Sequence, residues 1–283
     1  MFVTINGNRL NVEVMGPEHG TLLIAHHGAP GLGTMAEPRS TFGPLSDTYK
    51  VLVFDARGSG QSDGKGPFTH EQWVADVDAL REWAGAERFI IAGGSYGGFI
   101  AMEYAIAHPQ RLLAMVLRDT SPDHENEAMA RSNALSSARV ELDMGRFERI
   151  MDGTTHDDAD LRACWAEILP LYDHVYDPKA VQRKVEATTY RYQTHNWAFT
   201  QNMPRYDITA DLPAVTCPTL VTVGRDDWIT PVACSEKIAS LIDGSRLEVF
   251  EKSGHSPQIE EAARFQRLVR DFLAGAIARG DAA

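Results

Sequence analysis

Phe2 to Ile5 and Leu10 to Val14 alternate apolar and polar positions with period two around Asn6-Gly7-Asn8, which predicts an opening β-hairpin. Continuous apolar runs follow at Thr21 to His26, Lys50 to Phe54, Phe89 to Ala92 and Leu113 to Leu117. Unbroken runs of that kind suit strands covered on both faces. Thr69 to Ala84 reads as a helix, with Thr69 as its N-cap and Glu71 and Gln72 in the first turn. From about 122 to 212 the strand pattern disappears. Helix-like spacing takes over at Glu125 to Ala138, Ala159 to Leu171 and Pro178 to Tyr190. Sheet-like runs resume at Thr219, with a last one at Leu247 to Glu251. The pattern predicts an α/β fold: a mostly parallel sheet with helices on both faces. Residues 1–121 and 213–283 would form the core and 122–212 a helical cap inserted before the last two strands.

Within that frame, Gly93-Gly94-Ser95-Tyr96-Gly97 sits where the Phe89 run ends and the helix-prone Phe99 to Ala105 begins. A serine at such a strand-to-helix turn presents its hydroxyl outward, and the turn is tight enough that flanking Cβ atoms would collide. Ser95 is therefore the candidate nucleophile. Serine attacks well only when a base takes its proton and a carboxylate holds that base. Leu220 to Gly224 leads into a loop carrying Asp226 and Asp227, and the Leu247 run leads into Lys252-Ser253-Gly254-His255. Both candidates lie just past strand ends, where open α/β sheets place their sites.

Composition narrows the field. The 283 residues are 43% hydrophobic, enough for a large core, yet no apolar run approaches a membrane span. The N-terminus lacks a basic-then-apolar leader, so a cytoplasmic location is expected. Net charge is −12 without a basic stripe, which argues against nucleic acid and anionic membrane surfaces, and a neutral or cationic small-molecule substrate fits better. Cys164, Cys217 and Cys234 have neither metal nor redox spacing and read as reduced, packed thiols. No histidine pair has metal-ligand spacing, and no cofactor is implied.

Two further segments, His26-His27-Gly28-Ala29-Pro30-Gly31 and Asp55-Ala56-Arg57-Gly58-Ser59-Gly60-Gln61-Ser62, complete a set with the Ser95 turn and Gly224-Arg225-Asp226-Asp227. Together they resemble the proline iminopeptidase-like branch of the α/β-hydrolase family. The resemblance implies a serine hydrolase with Ser95, Asp227 and His255 as triad, the last position of Gly-x-x-Asp carrying the acid. It also implies an oxyanion hole from the backbone N–H groups of Ala29 and Tyr96. His27, Asp55 and Arg57 are expected to be structural. Asp119, at the end of the Leu113 strand, remains an alternative acid ranked behind Asp227.

The chain departs from the aminopeptidase pattern where that branch holds a substrate ammonium. Trp228 stands just after the triad acid, and Thr194 to Phe199 contains no acid, with Asn196 at the corresponding place. Without a carboxylate, a desolvated ammonium has no compensation, and Glu186 is the one cap substitute considered. Trp165, Tyr172, Tyr190, Tyr192, Trp197 and Phe199 are expected to divide between an apolar cleft and simple core. Trp197, Trp228 and Asn196 are the predicted substrate contacts, and the expected reaction is hydrolysis of an ester or lactone. Amide or aminopeptidase activity, a cofactor-independent oxygenase or lyase, and a silent binding protein are the rivals.

Overall fold

The computed structural model describes residues 1–280 and contains one eight-stranded sheet. Its strands are β1 (Phe2–Ile5), β2 (Asn8–Met15), β3 (Leu22–His26), β4 (Lys50–Phe54), β5 (Phe89–Gly94), β6 (Leu112–Arg118), β7 (Thr219–Gly224) and β8 (Arg246–Phe250). They lie in the order β1-β2-β4-β3-β5-β6-β7-β8. β1 and β2 run antiparallel to their neighbours, and every later pairing is parallel. The hairpin closes with Ile5 opposite Asn8, so Asn6 (φ 46°) and Gly7 (φ 79°) both turn left-handed, as a two-residue connection requires.

Strand periodicity divides the core in two. Leu22, Ile24, Leu52, Phe54 and Ile91 pack on one face, against α2 (His70–Trp83) and α3 (Tyr96–Ala107). Leu23, Ala25, Val51, Val53 and Ile90 pack on the other, against Phe42 and the Phe265, Val269 and Leu273 stripe. Phe42 ends α1 (Ala36–Phe42), and the stripe belongs to the C-terminal helix. Phe265 is fully buried there; burying a side chain of that size contributes about 1.5–3 kcal/mol. Thr69 caps α2 as expected, accepting from the Gln72 N–H at 3.3 Å.

Between β6 and β7 lie α4 (Asn126–Ser136), α5 (Met144–Asp152), α6 (Asp158–Ile168), α7 (Pro178–Ala187) and α8 (Tyr192–Trp197). Phe147, Ile150, Leu161, Trp165 and Ile168 give this segment a hydrophobic cluster of its own. From Ala198 onward, however, Ala198, Met203, Tyr206 and Leu212 pack in the main core cluster. The chain leaves the cap in packing terms before it does so in sequence. α5 has no counterpart in the expected pattern because Gly145 weakens its first turn. Its signal is the Phe147, Ile150, Met151 stripe and the Asp143 cap. The remaining helices are α9 (Val232–Leu241), α10 (Pro257–Glu260) and α11 (Ala262–Gly280). Among the described residues no helix is long and apolar enough to cross a membrane.

Candidate active site

Ser95 occupies the turn between β5 and α3 with φ 52° and ψ −127°, a conformation side chains rarely adopt. Close packing enforces it. A Cβ at Gly93 would lie 2.1 Å from the Gly97 carbonyl oxygen, one at Gly97 would lie 2.4 Å from the His26 carbonyl, and one at Gly94 would lie 2.1 Å from Arg118 Nη2. The Ser95 N–H donates to the Arg118 carbonyl at 2.9 Å, and the Ser95 carbonyl accepts from Thr120 Oγ1 at 2.8 Å. Both sides of the strained residue are thus pinned.

Past β7, Asp227 is buried, and its Oδ2 lies 2.8 Å from His255 Nδ1. The same carboxylate accepts from the N–H groups of Ile229 (3.0 Å) and Thr230 (3.1 Å) and from Thr230 Oγ1 (2.8 Å). That bonding keeps Asp227 facing the ring. Asp226 instead turns outward to His174. Asp119 is fully buried near both, but its oxygens are occupied, Oδ1 by the Gly224 N–H and Oδ2 by Arg118 Nη1, each at 2.9 Å. Burial raises its carboxyl, against the pull of Arg118. Ligand atoms of Asp119, Asp227 and His255 lie within 4.8 Å of one another. With a guanidinium on one Asp119 oxygen and a backbone N–H on the other, the group is poorly suited to hold a cation. His255 is further fixed by its backbone, the N–H donating to the Tyr172 carbonyl (2.7 Å) and the carbonyl accepting from Arg118 Nη1 (2.9 Å). Among the described residues no hydrogen bond joins Ser95 Oγ to His255.

The loop after β3 closes over the serine. A Cβ at Gly28 would lie 2.9 Å from Ser95 Cβ and 3.5 Å from its Oγ, so the serine side chain lies against this loop. Ala29 has φ 44°, and among the described residues neither its N–H nor that of Tyr96 has a backbone acceptor. His27 holds the loop in place: Nε2 accepts from the Ala56 N–H at 2.9 Å, which leaves Nδ1 to donate to the Gly28 carbonyl at 2.7 Å. Asp55 accepts from Met35 N–H and Asn11 Nδ2, and buried Arg57 pairs with Asp76 at 2.8 Å. All three are structural ties.

Residues 21–262 match the family model described as alpha/beta hydrolase fold. The chain belongs to that family. Proline iminopeptidase PfmaB of Pestalotiopsis fici is 35% identical over 277 residues, covering 96% of this chain and 98% of that protein. A 2-hydroxymuconate semialdehyde hydrolase of a Pseudomonas species is 29% identical, covering 95% and 92%. Among solved structures, a thermophilic esterase from Thermogutta terrifontis superposes with a TM-score of 0.74 at 25% identity, covering 98% and 99%. The enol-lactonase from Burkholderia xenovorans superposes with 0.78 at 22%, covering 97% and 100%, which speaks to the fold alone.

In this α/β hydrolase a cavity of about 60 Å³ lies over the serine, bounded by Ser95, Tyr96, Ala29, Trp165, Tyr172 and Phe199, among others. The cap reaches it through residues 191–195, which dock on two core loops. Arg191 N–H donates to the Gly31 carbonyl and Thr194 Oγ1 to the Gly58 carbonyl, each at 2.8 Å. The Tyr96 ring is set by a buried chain: Glu103 holds His70 Nδ1 at 2.7 Å, and His70 Nε2 accepts from the Tyr96 hydroxyl at 2.6 Å.

The predicted substrate contacts need correction, for none of the three lines this cavity. Asn196 turns into the cap and bonds Thr155 through both ends of its amide. Trp197 is 42% exposed. Trp228 is buried edge-on against Tyr172, behind the cavity wall. Successive helix residues point about 100° apart, so when His195 and Phe199 face the cavity, Asn196 and Trp197 cannot. Of the six cap aromatics, Trp165, Tyr172 and Phe199 line it, whereas Tyr190, Tyr192 and Trp197 do not. Sequence reasoning missed Asn126 and Glu127, at the start of α4, which also line it. Glu186 is exposed and bonded to Gln182. The three cysteines are free and buried, each thiol pushed up to about 11 by burial, and so poorly suited to attack.

Proposed function

We propose that this chain is a serine hydrolase that cleaves a carboxylic ester or lactone of a small, partly apolar substrate through an acyl-enzyme intermediate. The observation that carries the reading is Ser95 held in a strained turn at an apolar cavity that Ala29 and Tyr96, whose N–H groups have no backbone acceptor among the described residues, also line. Ser95 Oγ attacks the acyl carbon while His255 Nε2 takes its proton. Asp227 holds Nδ1 protonated and stabilises the resulting imidazolium. The N–H groups of Ala29 and Tyr96 receive the oxyanion; removing one such donor costs about 2.7–4 kcal/mol in comparable enzymes. His255 then protonates the leaving oxygen, and water, activated by the same ring, releases the acid. The reading requires the Ser95–His255 contact to close when substrate binds, as catalytic hydrogen bonds commonly do. The esterase among the structural neighbours supports ester cleavage, and the semialdehyde hydrolase among the relatives supports hydrolysis.

A second reading has its own observation. Glu127 lines the cavity without a side-chain hydrogen bond among the described residues, and burial raises its carboxyl. It is an acid where the sequence led us to expect none, and it favours an amine-bearing acyl group, as the iminopeptidase relative's name suggests. A panel of p-nitrophenyl esters, lactones and aminoacyl p-nitroanilides, run with wild type and Ser95→Ala, tests both. Ester turnover lost in Ser95→Ala supports the first; faster cleavage of aminoacyl anilides supports the second. Turnover that survives Ser95→Ala excludes acyl-enzyme chemistry and points to a base-catalysed reaction on the same fold. Absence of labelling by a fluorophosphonate would indicate an inactive serine.

A further inference from the structure

The cavity over Ser95 is largely apolar, yet it holds buried polar atoms that the protein leaves unpaired. Leaving a buried donor or acceptor unmade is costly, so such atoms on residues that line the same cavity as the nucleophile call for an explanation. Asn126 is 5% exposed and Trp165 is 7% exposed; both line the cavity, and Asn126 Oδ1 and Trp165 Nε1 have no partner. The orientation of Asn126 is determined by chemistry. Its other amide atom lies 3.2 Å from the Ile229 carbonyl, which only accepts, so Nδ2 must face Ile229 and Oδ1 remains as the free acceptor. Trp165 offers a donor and nothing else. His195 also lines the cavity with an unpaired Nδ1, but the Ile150 and Pro30 carbonyls both act on that ring, so it belongs to the loop contact and not to a ligand.

Resting on the ester-hydrolase reading, we infer that Asn126 Oδ1 and Trp165 Nε1 form a polar subsite for an uncharged substituent of the acyl group. The substituent is one that both donates and accepts hydrogen bonds, a hydroxyl or a primary amide. Asn126 and Trp165 are neutral, so they satisfy a neutral group without leaving a buried charge uncompensated. Sites built to hydrogen-bond such a group reject the analogue lacking it far more strongly than apolar pockets discriminate by size. The two residues therefore set specificity, and the machinery at Ser95 sets rate.

The test is a matched panel of p-nitrophenyl esters of four- to eight-carbon acids: plain, hydroxylated, carboxamide-bearing and amino-bearing. In wild type at least one hydroxyl or carboxamide ester should exceed its plain counterpart in kcat/KM by about tenfold or more. That ratio should fall toward one in Asn126→Leu and in Trp165→Phe, with thermal melting confirming that both variants fold. A ratio that survives both substitutions, or plain esters favoured throughout, overturns the inference. So does a preference for amino esters that is lost in Glu127→Gln rather than in Asn126→Leu. If no ester is turned over, the hydrolase reading fails separately, and binding to Ser95→Ala still decides the subsite. Methyl 6-hydroxyhexanoate should bind about tenfold tighter than methyl hexanoate by calorimetry, and equal binding refutes it.

Discussion

Arg118 donates from Nη1 to the main-chain carbonyl of His255 at 2.9 Å across 137 residues of sequence. The same guanidinium bonds Asp119 Oδ2 at 2.9 Å and Glu37 Oε1 at 3.0 Å, and it fills the space that a Cβ on Gly94 would need. One buried cation thereby ties together the serine turn, the histidine loop, the helix after the β3 loop and, through Asp119 and Gly224, the loop carrying Asp227. A planar fork with several donors serves this geometry; a point charge does not.

Arg118→Met should therefore destabilise the fold by about 3–5 kcal/mol, because Asp119 is left buried without its partner. Arg118→Lys keeps the charge but not the fork. It should retain most of the stability and lose kcat by more than KM changes. Chemical denaturation read beside steady-state kinetics checks this: a lysine variant with unaltered kcat would mean the fork does not position His255.

Two buried acids near one histidine make the assignment of the triad acid a direct question. Asp227 is the one bonded to His255 Nδ1, so Asp227→Asn should lower kcat by about 10⁴-fold through loss of the correct tautomer. Asp119→Asn keeps an oxygen for the Gly224 N–H and should cost far less. Kinetics of the two variants on one ester separates them, and the reverse order would move the catalytic role to Asp119.

Much of this was legible in the chain. Parallel strands covered on both faces announce themselves as unbroken apolar runs, and Ser95 was marked because only glycines fit at 93 and 97. Asp227 was separable from Asp226 only through the resemblance, whose Gly-x-x-Asp pattern puts the acid at its last position. The cavity wall was not legible. An ungapped count back from Asp227 chose Asn196, but such a count carries no helix phase, and in the short α8 and the π-helical stretch Ala198–Asn202 that follows it His195 and Phe199 point inward. Asn126 and Glu127 open a polar helix and carry no periodic signal; only the packing of α4 against the loop at Ile229 turns them toward the serine.

His195 is buried and neutral, its ring held down to about 4 mainly by burial. The unfolded chain takes up a proton near 6.5 while the native state refuses it, so this stabilising contribution is complete above that pH and is lost as pH falls toward 4. Between pH 7 and pH 5 the loss amounts to about 2 kcal/mol. His195→Gln, which can still donate to the Ile150 carbonyl, should lessen the acid loss by that amount and leave the share of the buried His26 and His27 rings. Urea denaturation at the two pH values measures it; equal slopes in both proteins would show that the ring titrates normally.

Gly28 offers the sharpest separation of activity from stability. A methyl there would meet Ser95 Cβ and the Gly94 carbonyl, each at 2.9 Å, closer than Cβ atoms approach in practice, and backbone on one side cannot yield. The loop must move instead, and with it the Ala29 N–H that we propose receives the oxyanion. Losing one such donor costs about 10²–10³ in kcat, and KM should change little because the cavity wall is formed mainly by the cap. Gly244→Ala is the counterpart: its φ of +69° makes the substitution strained, but nothing lies within 4 Å. It should cost about 1 kcal/mol of stability and leave kcat alone. Steady-state kinetics and melting curves on the two variants should show opposite profiles, and a fully active Gly28→Ala enzyme would place the oxyanion donors elsewhere.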